Sequence, residues 1–404
     1  MKRLLRPVLT VFGLTLLLIA CAPDPDARVR EADAFLETLR DSLVPDSRMF
    51  PWNVNVTYES DTINLFGYIG DKQVYKTFVQ RIDETYPQWR NRVDLVPAQE
   101  PERLIHAVAV NAVGHMRAQP SHRAEIVTQA IFGHPLRVFR EQDGWFLVQT
   151  PNGYHGWLDG AALCVLDREA MDAYRALPKV VFSAQTGTVW SEPNEKSLPV
   201  SDLVAGAILA TGEPRGAFLQ VLYPDGRNGW VRQSDCLPWA EWMGRTPAAA
   251  GVLASAMPYN GIPYLWGGTS SKGIDCSGFA SMVYLMNGLV LLRDADQQSR
   301  CEEELSTAYA WDGLEAGDLL FFGRPATEEQ AERVTHVAIY ISDSGIHPCL
   351  GPGEDQQHGP GRENFLEEYR NCSCARCASG PDHPRHYPGR ERPTFTADFA
   401  PLTP

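Results

Sequence analysis

Basic side chains are in deficit. The chain has 36 Lys and Arg against 50 Asp and Glu, a formal net charge of −14. That balance argues against nucleic acid as a partner, because phosphate binding needs clustered cations. Small cationic or zwitterionic ligands remain suitable. Paired cysteine spacing is also missing. The nine cysteines, at 21, 164, 236, 276, 301, 349, 372, 374 and 377, are scattered, unlike the framework of a disulfide-stapled exported domain. Cys164 and Cys236 sit in apolar surroundings and read as core residues. The N-terminal apolar run, Val8 to Ala20, has only 13 residues, short of the roughly 20 of a membrane-spanning helix. What is present is ordinary globular composition, 44% hydrophobic and 21% charged over 404 residues. That length allows two to four domains with ample core.

The N-terminus reads as an export signal. Lys2, Arg3 and Arg6 precede the apolar run, the order of a signal peptide. The run ends in Leu18-Ile19-Ala20-Cys21, which resembles the bacterial lipobox, where the cysteine is lipidated and becomes the first mature residue. Residues 1–21 are therefore expected to be a lipoprotein signal. The body is expected outside the cytoplasm, in the periplasm or at the cell surface, held to a membrane by acyl chains on Cys21. The competing reading is an uncleaved anchor with an incidental cysteine.

Four kinds of segment follow. In residues 22–100, apolar positions Val29, Ala32, Phe35, Leu36 and Leu39 recur at helical spacing, Val54–Tyr58 and Ile63–Tyr68 alternate as strands, and Lys72 to Trp89 reads as helix again. This small α+β unit carries no visible chemistry. Residues 104–166 and 179–240 form a repeat. Each holds several short strands and a hairpin, Thr150-Pro-Asn-Gly-Tyr-His-Gly-Trp157 in one and Tyr223-Pro-Asp-Gly-Arg-Asn-Gly-Trp230 in the other. Pro-Asn-Gly and Pro-Asp-Gly are turn signals between β-runs, so each half predicts a small barrel of about five strands. Residues 167–178 read as a helical linker. Both halves resemble bacterial SH3-like domains. From Pro247 the composition changes once more.

The chemistry lies in this last part. The stretch from Tyr264 to Met286, YLWGGTSSKGIDCSGFASMVYLM, is glycine-rich and then helical, with Phe279, Met282, Val283 and Met286 on one stripe. Cys276 falls in the first turn, where free N–H groups and partial positive charge are expected to lower the thiol pKa. Asp275 and Ser277 flank it with groups able to fix a substrate. A cysteine in an apolar run is usually core, but the glycine-rich approach and polar flanks point to a nucleophile. Such a thiol needs an imidazole, and a third group to orient that imidazole. His336 opens the alternating run Thr335-His-Val-Ala-Ile-Tyr-Ile-Ser342. His347 follows the turn Ser342-Asp-Ser-Gly345. Two antiparallel strands can set these rings side by side.

These segments, with GDLLFFG at 317–323, resemble the NlpC-type cysteine peptidases, a papain-like family acting on bacterial peptidoglycan peptides. The likeness covers about 250–370. With two SH3-like domains in front, the chain resembles the γ-D-glutamyl-L-diamino acid endopeptidases. That subgroup carries Tyr-Leu-Trp-Gly-Gly, here Tyr264–Gly268, and Arg-Asp-x-Asp-Gln-Gln, here Arg293–Gln298. The resemblance implies a multidomain α+β protein. A papain-like catalytic domain at 247–371 would follow two SH3-like β-barrels and a small α+β N-terminal unit. It implies Cys276 as nucleophile, His336 as base and later acid, and His347 as the orienting residue. Tyr264 would stabilise the oxyanion. Asp275 and Asp294 would receive the ammonium of a free N-terminal L-Ala, with Ser277 and Trp266 also on the substrate. Tyr154 and Glu125, from the first SH3-like domain, would wall one end of the cleft. The expected substrate is a peptidoglycan-derived peptide cut at the γ-D-glutamyl–diamino acid bond. A monomer is expected, with no cofactor and no metal. The alternatives are a hydrolase of intact peptidoglycan stems and an inactive wall-binding lipoprotein.

After His347 the family pattern fails. Codons compatible with the peptide from Cys349, read one base later, permit a family-like segment. Arg362-Glu-Asn-Phe-Leu-Glu-Glu-Tyr-Arg-Asn371 then fits in frame, and from Cys372 the match is lost again. Compensated frame changes near 348–360 and a third near 371 are the expectation, and the DNA decides it. Residues 348–360 are expected to be an irregular loop. Residues 372–404, with five prolines from Pro381 to Pro401 and no apolar period, are expected to lack stable structure. The alternative for this tail is a metal site on Cys372, Cys374 and Cys377, completed by His383 and His386.

Overall fold

The computed structural model describes residues 25–97, 106–300, 303–306, 314–324, 326–342, 345–348 and 372–376. The expected signal and Cys21 and the tail at 377–404 lie outside the described residues, as does the loop expected at 348–360 apart from Pro348, which ends a strand instead. No helix among the described residues is long and apolar enough to cross a membrane. Contacts divide the chain into two units. Of the described residues, one comprises 25–45 with Trp52–Ile69 and Gln73–Asp94, and the other Asp46–Pro51, Gly70–Lys72 and those from Leu95 on.

The first unit is a helix–sheet layer: α1 (Pro25–Leu43), β1 (Trp52–Glu59), β2 (Thr62–Ile69), α2 (Lys72–Thr85) and β3 (Trp89–Leu95), with sheet order β1-β2-β3. The spacing read from the sequence faces Ala32, Leu36 and Leu39 of α1 into a core with Leu65, Ile69, Phe78 and Ile82. Trp89, read as the end of a helix, belongs to β3. The two-residue turn between β1 and β2 is Ser60-Asp61, both with positive φ, as a tight hairpin requires.

The second unit contains two barrels. The first holds β4 (His106–Ala109), β5 (Val113–Arg117), β6 (Ile126–Ile131), β7 (Pro135–Gln142), β8 (Trp145–Gln149), β9 (His155–Asp159) and β10 (Leu163–Leu166). Helix α3 (Arg168–Ala176) follows. The second barrel holds β11 (Lys179–Phe182), β12 (Thr186–Trp190), β13 (Pro199–Val204), β14 (Ile208–Arg215), β15 (Phe218–Leu222), β16 (Asn228–Arg232) and β17 (Cys236–Pro238). The strand orders are β10-β4-β7-β8-β9-β5-β6 and, reversed, β17-β11-β14-β15-β16-β12-β13. Seven positions on, the order is the same, so the repeat seen in the sequence is a repeat of topology. Each sheet has seven strands, not the five expected. The extra ones are short strands at the ends of each segment, too brief to show alternation.

Next come α4 (Trp239–Met243), α5 (Ala249–Ala256), the short pair β18 (Thr269–Ser270) and β19 (Gly273–Ile274), α6 (Cys276–Met286) and α7 (Ala295–Gln298). The strands β20 (Glu303–Ser306), β21 (Leu319–Arg324), β22 (Arg333–Ser342), β23 (Gly345–Pro348) and β24 (Cys372–Arg376) complete the domain. Their sheet order is β20-β24-β21-β22-β23. Every residue of α6 except Ser281 is buried, so the helix has no solvent face and its apolar surface is wider than one stripe. Phe279, Met282 and Val283 share one core with Phe182, Leu203 and Val221 of the second barrel and with Leu319, Phe321, Val337 and Ile339 of the sheet.

The expectation for residues 372–404 is corrected at its start. Residues 372–376 form β24, with Cys372 opposite Phe322 and Ala375 opposite Leu319 on one side, and Ala375 opposite Glu304 on the other. A strand between two neighbours is held by backbone ladders on both edges. That bonding leaves no apolar period to read, and the prolines used to argue against order all lie beyond it.

The barrels meet through backbone. Ile208 N–H donates to Phe132 O at 3.0 Å, and His134 Nε2–H donates to Gly206 O at 3.0 Å. Gly133, with φ of +78°, passes so close that a Cβ would lie 1.7 Å from Ile208 O. Gly133→Ala should therefore cost about 3 kcal/mol or more, since backbone on both sides must shift. Gly144, at φ +79° but with nothing within 4 Å of its Cβ position, should cost only about 1–2 kcal/mol as alanine. Urea denaturation of the two variants checks the difference, and equal losses would refute the close approach.

Candidate active site

The first turn of α6 is built on a carboxylate. Asp275 is the extended N-cap residue, and its Oδ1 accepts the Gly278 N–H at 2.7 Å, satisfying one of the helix's unpaired donors. Its Oδ2 accepts the Gly267 N–H at 2.9 Å. Arg293, 1% exposed, closes on both oxygens, with Nη2 2.6 Å from Oδ2 and Nη1 3.1 Å from Oδ1. Its Nη1 also reaches Ser277 Oγ at 2.9 Å, and its Nε donates to Thr128 Oγ1 of the first barrel at 3.1 Å.

This geometry corrects the expected roles of Asp275 and Ser277. Both are buried, and Asp275 is saturated by Arg293 and two backbone donors. Neither is a free group waiting for a substrate. They position the helix that carries the thiol. A buried charge keeps its place only when paired and hydrogen-bonded, and Arg293 supplies that pairing.

Cys276 follows directly as the first residue of α6 and is 7% exposed. Its thiol pKa is pushed up to about 11. Burial is the main cause and the Asp275 charge the second, against hydrogen bonds from the Val337 and Ser277 backbone and the Arg293 charge. The expected lowering by the helix N-terminus is thus overturned. Desolvation penalises a thiolate more than the helix end favours it, and the N-cap is itself an anion. The resting sulfur carries its proton.

His336 is the fourth residue of β22, not its first, and pairs with Phe322 beside a register shift that leaves Thr335 unopposed. Bulges of this kind re-aim side chains. The ring lies 5.8 Å from that of Phe322, and the backbone of the next residue, Val337, is among the groups that favour the thiolate. Burial holds the His336 pKa down at about 4, with the Asp275 charge pulling the other way. The imidazole is therefore neutral near pH 7 and able to accept a proton. His347 lies on β23 opposite Ile339, so the ladder sets it three positions along from His336 rather than across from it. Its side chain lies outside the described residues. Tyr264 bridges to Ile274, two residues before Cys276.

The first barrel supplies the rest. Trp266, 61% exposed, donates its indole N–H to Glu125 at 2.6 Å. Gly267, with φ of +77°, rides over Ile126 so closely that a Cβ would lie 2.2 Å from its carbonyl oxygen. Thr269 N–H donates to Gln129 Oε1 at 2.7 Å. Tyr154, 7% exposed, donates its hydroxyl to Asp294 Oδ2 at 3.1 Å. Burial first and then the Asp294 charge push the phenol pKa up, so it stays a donor. Asp294 also binds a residue that the sequence reading missed. Arg48 Nη1 lies 2.8 Å from the same oxygen. No local signal marks Arg48, which sits in a polar break between a helix and a strand. Among the described residues no group of three or more His, Cys, Asp or Glu could hold a metal ion.

Comparison with known proteins agrees with this arrangement. Residues 261–376 match the NlpC/P60 family, and residues 116–163 match the bacterial dipeptidyl-peptidase Sh3 domain. The chain is 31% identical over 257 residues to a γ-D-glutamyl-L-lysine dipeptidyl-peptidase of Bacillus cereus, covering 61% of this chain and 74% of the relative. It is 30% identical over 262 residues to a protein of the same name from Bacillus subtilis, covering 63% and 82%. A crystal structure of an NlpC/P60 family protein from Bacillus cereus superposes with a TM-score of 0.54 at 23% identity, covering 67% of this chain and 99% of that one. The barrel-flanked thiol at the start of a buried helix thus has its place among known proteins: the chain belongs to the NlpC/P60 family and is a cysteine peptidase.

Proposed function

We propose that this peptidase hydrolyses the γ-D-glutamyl–diamino acid bond of peptidoglycan-derived peptides that carry a free N-terminal L-Ala. The observation that carries the reading is the placement of two acidic side chains beside the groups that hold Asp275. Asp294 follows Arg293 and meets the Tyr154 hydroxyl. Glu125 meets the indole of Trp266, which precedes Gly267. Each stands where the first barrel meets the peptidase domain, and in this reading they receive the ammonium. The relatives' names, which specify γ-D-glutamyl-L-lysine dipeptides, support the bond assigned.

In this mechanism the neutral His336 imidazole takes the Cys276 proton as the sulfur attacks the γ-carbonyl of D-Glu. Tyr264 and backbone N–H groups at the start of α6 receive the oxyanion. The imidazolium returns the proton to the leaving amine, and a thioester remains on Cys276. Water, deprotonated by His336, then attacks the thioester and releases the carboxylate and the thiol. Because the thiol is protonated at rest, proton transfer and attack occur together. In this proposal the activity belongs to a membrane-held exported lipoprotein, a reading supported by Lys2, Arg3, Arg6, the apolar run and Cys21.

Cys276→Ala should abolish hydrolysis of L-Ala-γ-D-Glu-diaminopimelate while leaving the melting temperature close to wild type, since only one sulfur is lost from the core. His336→Ala should do comparable damage to kcat. Activity within tenfold of wild type in either variant would refute covalent thiol catalysis by this pair.

Acetylating the L-Ala amine should lower kcat/KM by about 30-fold or more, the equivalent of about 2 kcal/mol or more for a charged pair stripped of one partner. Mass spectrometry of products from the free and acetylated tripeptides, with intact sacculi alongside, checks this. Equal cleavage of both peptides would overturn the ammonium specificity.

A further inference from the structure

Residues Asp46–Pro51 lie between α1 and β1 in sequence but belong by their contacts to the second unit. They form a strap on the first barrel and the peptidase domain. Gln149 Nε2 donates to Met49 O at 2.9 Å, the His155 backbone N–H to Arg48 O at 3.1 Å, and the His155 ring to Ser47 O at 2.8 Å. At its centre Arg48 is saturated. Its Nε and Nη2 donate to the two oxygens of Asp46 at 2.8 and 2.7 Å. Its Nη1 and Nη2 donate to the two oxygens of Asp296 at 2.7 and 2.8 Å. Its Nη1 donates to Asp294 Oδ2 at 2.8 Å. A guanidinium has five N–H donors in a fixed fork, and these contacts use all of them.

Arg48 therefore has no donor left for a substrate carboxylate, and three carboxylates fix where it can stand. Asp294 gains a rigid neighbour. Of its surroundings, the strap contributes Arg48 and Asp46, the β8–β9 hairpin contributes Tyr154, and its own segment contributes Arg293 at 3.8 Å and Asp296. The charges also leave room for a guest. Asp46, Asp275, Asp294 and Asp296 face Arg48, Arg293 and Arg300 in linked ion pairs, so four negative charges meet three positive ones.

We propose that Arg48 is a positioning residue for the peptidase: it fixes the Asp294 carboxylate as the receptor for a substrate's terminal ammonium, so that the strap helps set the preference for free-amine peptides. This rests on the function proposed above. Burial raises the Asp294 pKa, and the charges of Arg293 and Arg48 oppose it. The carboxylate must be ionised to bind an ammonium, so kcat/KM rises with pH through the Asp294 titration. Removing Arg48 moves that acid limb to higher pH. His336 also titrates on the acid side, but only the limb's displacement on substitution reports Asp294.

The test is steady-state kinetics across pH for wild type, Arg48→Gln and Arg48→Lys, with the free tripeptide and its N-acetyl derivative. Arg48→Gln should raise KM for the free peptide at least tenfold with kcat within about threefold. It should also narrow the free-to-acetyl preference and displace the acid limb upward. Arg48→Lys keeps the charge but not the five-donor fork, so it should restore the limb while leaving KM several-fold high. Equal losses on both peptides with an unmoved limb would make Arg48 merely structural and overturn the proposal. So would wild-type kinetics in Arg48→Gln. If Arg48→Gln does not fold, Arg48→Lys decides, and a wild-type KM there overturns the proposal. A wild type without any free-amine preference instead overturns the proposed function itself.

Discussion

A guanidinium at 1% exposure must have its charge answered nearby, and Arg293 is answered by Asp275. Much of the catalytic region hangs on that pair. The carboxylate caps α6 and so sets the direction of Cys276. It also pins the loop carrying Tyr264 and Trp266 through Gly267, while Arg293 ties the segment of Asp294 and the first barrel's Thr128 to the same point. Breaking one half of a buried pair costs about 3–5 kcal/mol. The cost would fall on the geometry of the reacting groups as well as on folding.

The same pair sets the electrostatics. An anion at the helix N-cap cancels part of the field that would otherwise favour a thiolate. The thiol and the His336 imidazole are both held in their neutral forms, chiefly by burial. The barrels take part in this rather than sitting apart. The second barrel shares its core with α6, and the first contributes Thr128, Gln129, Glu125 and Tyr154 directly. Glu125 and Tyr154 thus sit on elements tied to the segments around helix α6.

Local chemistry was legible in the sequence and distant pairing was not. The paired hairpins, with Gly153 and Gly226 at positive φ, announced the repeat that the matching strand orders express. Asp275 before Cys276, with Gly278 three residues on, is a helix start written in three residues. The sense of the thiol pKa was misread because burial on every side of α6 is a property of packing, invisible in an eleven-residue window. Arg48 and Asp294 stand 246 positions apart, and nothing near either one names the other. Strand β24 was hidden because its bonding is backbone to backbone with segments about 50 or more residues away, while its sequence, Cys-Ser-Cys-Ala-Arg, shows no apolar alternation.

The protonated resting state of Cys276 has a consequence outside peptide hydrolysis. Thiolate, rather than thiol, attacks peroxides, disulfides and alkylating agents. A sulfur held near 7% exposure with its pKa pushed up to about 11 offers them almost none of the reactive species at neutral pH. The burial that keeps the proton on the sulfur therefore also lowers its reactivity toward oxidants.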